Sequence, residues 1–185
     1  MSRLVVFRGD RGRLVPIAQL ALADAEIAAA TFKQHLDQLW ASGRPARLGW
    51  ERSEIDSLHV MAKLPAKRAS GAIDYYYFRL GAEYYDAAPP TVKLVQPDGH
   101  TYAPNGSRWF PLFASTPSWF HLHATYPWPA GAGQLVCFSF AAEYYMTDHS
   151  PKETERWEQG RHTVAATLSR LAEVLSPPFY REPSA

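Results

Sequence analysis

Cys137 is the only cysteine in a chain of 185 residues, and it is the side chain with the widest chemical reach. A thiolate attacks carbonyl carbons, and an unperturbed thiol with a pKa near ~8.5 already offers a few per cent thiolate at neutral pH. The glycine-bearing segment from Pro127 to Gly133 precedes it and would admit a partner chain. His121 and His123 lie upstream, Asp148 and His149 downstream. Acyl transfer needs a donor to the oxyanion and a group that desolvates or deprotonates the attacking amine, and these four are the nearby side chains that offer it. The plainer reading of Cys137 is a small buried hydrophobe within the apolar run from Leu135 to Phe140.

The same stretch also spells a metal site. Cys137, Glu143, His149 and His162 follow one another in that order, and a thiolate, a carboxylate and two imidazoles suit zinc. His121 and His123 would add two ligands from one strand face. The spacings differ from the short Cys-x-x-Cys and His-Glu-x-x-His forms that mark zinc sites strongly. Neither a Gly-x-x-x-x-Gly-Lys loop nor a dinucleotide fingerprint occurs, so no cofactor is expected.

Composition narrows the setting. Lysine and arginine number 19 against 18 for aspartate and glutamate, and a net charge of +1 gives no reason to expect a nucleic-acid or anionic-membrane partner. A lone cysteine forbids an intramolecular disulfide and argues against a secreted disulfide scaffold. The apolar run before Arg8 is too short for a signal peptide, and no window approaches ~18 uncharged apolar residues, so a cytoplasmic protein is expected. At ~150 residues per domain, the length predicts one domain over residues 1–185.

The elements that must position these residues follow from hydrophobic spacing. Leu4 to Phe7 and Arg13 to Ile17 flank a turn-like Gly9-Asp10-Arg11-Gly12 and predict a small hairpin. From Ala18 to Trp40 the chain is rich in alanine and free of proline and glycine, and Phe32, Leu36, Leu39 and Trp40 fall on one helical face, with Ser42-Gly43 as the stop. Leu58, Val60, Ala62 and Leu64 alternate as a strand, Pro65 to Gly71 reads as a turn, and Asp74 to Leu80 is an aromatic strand. Another strand, Val92 to Val95, starts just past Pro89-Pro90. Pro97 to Pro117 has no assignment. Trp119 to His123 has strand character that puts Trp119, His121 and His123 on one face, whereas Pro127 to Gly133 reads as irregular. Ser150-Pro151-Lys152-Glu153 forms a capping box for a helix through Trp157, Val164, Leu168, Leu171 and Leu175, with a break near Gly160 and an end at Pro177-Pro178.

The segments from Leu58 to Lys67 and from Tyr75 through Glu83-Tyr84-Tyr85-Asp86-Ala87-Ala88-Pro89-Pro90 to Val95 resemble ubiquitin-conjugating enzymes. In that family two strands run into a tyrosine-containing loop and a Pro-Pro pair, followed at once by the next strand. Gly133-Gln-Leu-Val-Cys137 resembles the family's Gly-x-x-Cys active-site segment, and Ser150-Pro151 with the helix before Pro177-Pro178 resembles its closing elements. The ordered likeness covers about Ala18 to Pro178. The family's His-Pro-Asn triplet is absent, Asn105 is the only nearby asparagine, and the interval from Cys137 to Ser150-Pro151 is longer than usual. These departures are similar to those of divergent bacterial conjugating-enzyme-like proteins encoded beside an activating enzyme, a ubiquitin-like protein and a deconjugating metalloprotease, some implicated in antiphage defence. The order Cys-Glu-His-His also resembles a predicted bacterial metal-binding family found near such operons.

The resemblance implies an α+β fold of the ubiquitin-conjugating type, with an N-terminal helix, an antiparallel meander of about four strands and C-terminal helices. It implies a transferase that accepts a ubiquitin-like protein as a thioester on Cys137 from an activating enzyme and passes it to a protein target. His121, His123, Asp148 and His149 are then the candidates for oxyanion or acid-base support. The N-terminal helix would dock the activating enzyme. The alternatives are zinc binding by Cys137, Glu143, His149 and His162, and a non-catalytic binding module of the same fold.

Overall fold

The computed structural model describes residues 22–147, 149 and 152–185, with only the backbone of residue 153. The expected hairpin before Ile17 lies outside the described residues, as do Ala18 to Ala21 of the expected first helix.

Helix α1 runs from Ala25 to Ala41. It starts there because the Asp24 carboxylate accepts from the backbone N–H groups of Glu26 and Ile27, satisfying two donors that the first turn leaves open. Ala28, Phe32, Leu36 and Leu39 form its buried stripe. Gly43, at φ 68°, ends it where the sequence predicts and starts the short helix α2, Arg44–Leu48.

The sheet is a four-stranded antiparallel meander in the order β1 (Glu51–Glu54), β2 (His59–Lys67), β3 (Ile73–Gly81) and β4 (Thr91–Val95). The coarse expectation of an α+β chain with such a sheet is met. The first strand, however, is β1, which sequence spacing did not reveal. Glu51-Arg-Ser-Glu54 has no apolar alternation because it is a charged edge strand, half of whose work is to discourage further pairing. The expected turn from Pro65 is also corrected: β2 continues to Lys67, with Pro65 opposite Tyr75. Lys67, two residues on, turns its N–H away from β3 to Leu175 O at 2.9 Å, so the Pro65 nitrogen faces the same side. There β1 has already ended, its last partner being Lys63, and no donor is missed.

Val60, Ala62, Leu64 and Ala66 of β2 face inward with Tyr76, Phe78 and Leu80 of β3 and Val92 and Leu94 of β4. They form one core with the α1 stripe and with helix α3, Val164–Val174, through Val164, Leu168 and Leu171. At ~25 cal/mol per Å² of apolar area this shared face is the main source of stability.

Beyond the meander, β6 (His121–Trp128) and β7 (Gly131–Cys137) form a hairpin. This corrects the irregular reading of Pro127 to Gly133: Pro127 pairs with Ala132 and Trp128 with Gly131, and only Pro129-Ala130 turn. β6 pairs with β7 alone, which leaves an open edge where a proline nitrogen need not donate. A small second sheet joins β5 (Pro111–Phe113) to β8 (Tyr180–Pro183), inside and beyond regions the sequence left unassigned.

The closing helix is shorter than expected. Ser150 and Pro151 lie outside the described residues, Glu153–Glu155 is one 3-10 turn, and α3 begins only at Val164, capped by Thr163, whose hydroxyl accepts from Ala165 N–H. Gly160, at φ 77°, and the hydrogen bonds of Trp157 to Tyr145 Oη and to Asp86 O, both 2.9 Å, hold the intervening chain out of a helix.

Candidate functional site

Cys137 is the last residue of β7, and its register partner across the hairpin is His121 at the start of β6. Directly opposed residues present their side chains to the same face, with Cβ atoms about 5 Å apart. The exposed His121 therefore lies on the Cys137 side of the hairpin. His123 follows on that face, its ring centroid 6.0 Å from that of His121 and 5.6 Å from Tyr126. Phe120 is buried, as strand alternation requires.

The chain returns to this face after β7. A 3-10 turn, Ala142–Met146, carries Tyr144, whose ring lies 5.2 Å from that of His149. Thr147 Oγ1 holds His149 Nδ1 at 2.6 Å. The structure thus gathers Cys137, His121, His123 and His149 on one side of the hairpin base. Asp148 lies outside the described residues. Tyr144 is a participant that sequence reasoning missed, because only the fold of the turn after Phe140 brings it near.

The electrostatics at the thiol are those of desolvation. Cys137 is 2% exposed, and burial pushes its thiol up to about 11. The His123 imidazole is held below its usual value by burial, then by the charges of His121 and His149, so it stays neutral and able to take a proton. Burial raises the Tyr144 hydroxyl, and negative charge on Cys137 and Glu155 adds to that, so Tyr144 keeps its proton and remains a hydrogen-bond donor.

The four residues of the Cys-Glu-His-His order are not brought together. Glu143 is buried on another side of the turn, its carboxylate 2.9 Å from Lys93 Nζ and accepting from Val92 N–H at 3.0 Å. His162 packs against Phe140 and Trp157, ring centroids 5.1 and 5.7 Å away, and its Nδ1 accepts from Glu158 N–H. Among the described residues no three His, Cys, Asp or Glu side chains converge as metal ligands do. Spacing along the chain carried the zinc reading, and the 3-10 turn and the loop before α3 send its members to separate places.

The described residues also include no helix long and apolar enough to cross a membrane. No family model matches the chain, and a search of curated proteins returns no match.

Proposed function

We propose that the chain is a ubiquitin-conjugating-type transferase that carries a ubiquitin-like protein on Cys137. The observation that carries this reading is the placement of His121 directly across from Cys137, at the base of a hairpin that follows a four-stranded meander. The Cys137 sulfur attacks the thioester carbonyl of the ubiquitin-like C-terminus held by an activating enzyme. A new S–C bond forms, the old one breaks, and the proton of Cys137 passes by way of an imidazole to the departing thiol. Thiol replaces thiol, so the exchange needs access and proton transfer more than a strong driving force. In the second step a target amine attacks the thioester carbonyl, a C–N bond replaces the S–C bond, the amine proton passes to the departing Cys137 sulfur, and Tyr144 or His121 donates to the oxyanion in place of the family's asparagine. The bacterial, antiviral setting belongs to the same proposal.

The deciding experiment combines the chain with any activating enzyme and ubiquitin-like protein found encoded beside it, and ATP. A thiol-sensitive adduct lost in Cys137→Ser supports the reading, and no adduct with a demonstrably charged activating enzyme sinks it. One observation favours a second reading: a thiol 2% exposed with a pKa near 11 suits a non-catalytic binding module. That reading predicts association with the ubiquitin-like protein that survives Cys137→Ala, with no adduct at any stage.

A further inference from the structure

A cavity of about 430 Å³ lies between the outer face of the sheet and the tip of the β6–β7 hairpin. Pockets of ~300–1,000 Å³ suit small molecules. The lining of the cavity runs from Gly131 at the hairpin tip to Gln134, and at ~3.4 Å per residue Gln134 stands about 10 Å along β7 from Cys137.

Three features of its lining point to one ligand chemistry. Arg79 and Lys93 are direct register partners on the outer face of β3 and β4, so two cations share one spot on the floor. Lys93 is balanced by Glu143 at 2.9 Å. Arg79 is half-buried and makes no ion pair or hydrogen bond among the described residues, so its fork of donors is unspent in a concave site. A guanidinium in that condition matches phosphate oxygens two at a time.

The second feature is aromatic. Trp128 lines the cavity with Tyr84 and Tyr102, and its ring is fixed: Nε1 donates to Gln134 O at 3.3 Å and the ring packs 4.9 Å from Tyr126. A rigid indole beside cations is a stacking surface for a planar base. The third is a fixed carboxylate. Glu83 accepts from Thr91 Oγ1 and pairs with His59 Nε2, both at 2.9 Å, and it keeps lone pairs for hydroxyl groups. A Cβ on Gly81 would collide with Glu83 and Thr91, so this carboxylate needs the bare backbone there.

We propose that this cavity binds a mononucleotide, with the phosphate on Arg79 and Lys93, the base against Trp128 and the ribose hydroxyls on Glu83. Recognition is by side chains, which is why the sequence contains no phosphate loop.

The test titrates the full chain with AMP, GMP, CMP and UMP by calorimetry, with adenosine, inorganic phosphate and 4-hydroxybenzoate as separate arms. At least one monophosphate saturates, and adenosine and phosphate each bind at least about tenfold more weakly. Arg79→Gln weakens the monophosphate about tenfold and leaves adenosine unchanged, Trp128→Leu weakens both, and Cys137→Ser changes nothing. Circular dichroism confirms that each variant is folded. No monophosphate binding at millimolar concentration, equal binding by Arg79→Gln, or saturation by the benzoate instead of a nucleotide overturns the proposal.

Discussion

At Cys137 burial and chemistry pull in opposite directions. Desolvation penalises the thiolate and raises the folded pKa to about 11, while the unfolded chain ionises near ~8.5. The stability this contributes is fully present below about 8.5 and is lost progressively as pH rises toward 11. Iodoacetamide alkylation of the native protein should therefore be slow at neutral pH and rise with an inflection near 11, whereas in urea the inflection falls near ~8.5. A native inflection at or below 8.5 would show that the thiol is open and activated at rest. His121 offers the complementary test. It is exposed and opposes Cys137 across the hairpin, so His121→Gln should leave the unfolding midpoint unchanged while slowing thioester formation by about a hundredfold, the lower range for losing an acid-base group. Equal slowing and destabilisation would make it a structural residue. These neighbours were legible in the sequence where alternation applies: His121 and His123 had to share a face of one strand. Tyr144 was not legible, because no local pattern tells which way a 3-10 turn will aim a side chain.

At the scale of elements, the feature to explain is how β4 ends the sheet without inviting another strand. Its outward N–H groups are met by side chains instead. Val92 N–H donates to Glu143 Oε2 at 3.0 Å and Leu94 N–H to Gln134 Oε1 at 2.8 Å, while Ala103 N–H donates back to Leu94 O at 3.1 Å. Gln134 and Glu143 thus dock β7 and the turn after it against an edge they do not pair with. Burial raises the Glu143 carboxyl, and Lys93 opposes that by its charge and its hydrogen bond. Glu143→Ala should cost about 3–5 kcal/mol, because it strands a buried N–H and the Lys93 charge together. Glu143→Gln keeps an acceptor and is uncharged, as burial prefers, so it should cost less than half as much. Urea midpoints of the two variants check the order, and equal losses would place the energy in the ion pair alone. The fold was readable where apolar residues alternate, as in β2, β3 and β4. It was opaque where pairing alone makes the strand: β1 is charged, β5 and β8 meet from distant parts of the chain, and proline disguised the β6–β7 hairpin. Glu143 and Gln134 look like surface residues in sequence. Only the edge they close explains their burial.

The whole molecule is closed by its C-terminal strand. Phe179 O accepts from Ala114 N–H at 2.7 Å, Ser184 N–H donates to Phe110 O at 2.9 Å, and between them β8 pairs with β5. Tyr180 ties this tail to the main sheet. Its hydroxyl donates to Asp74 Oδ2 at 2.7 Å and lies 2.9 Å from the hydroxyl of Tyr76, which is fully buried, and Arg68 holds the same Asp74 through Nε and Nη2 at 2.7 and 2.9 Å. Arg68 is the main reason the Asp74 carboxyl lies below its ordinary range, with Tyr180 adding to it against a cost of burial. The stability from Asp74 is therefore present above about 3.9 and lost as pH falls through the lowered folded value. Tyr180→Phe removes the bridging hydroxyl and leaves Tyr76 Oη buried without its partner, which should cost about 1–3 kcal/mol. Adding Tyr76→Phe removes the stranded group, so the double variant should recover part of that loss and not add to it. Urea unfolding at neutral pH and at acid pH down through the lowered Asp74 value separates the contributions: the gap between wild type and Tyr180→Phe narrows only once Asp74 is protonated in the folded protein, below the ordinary carboxylate range. A double variant less stable than Tyr180→Phe, or a gap independent of pH, would mean that the tail is held by ring packing, the 5.7 Å edge contact of Tyr76 and Tyr180, and not by the hydroxyl bridge.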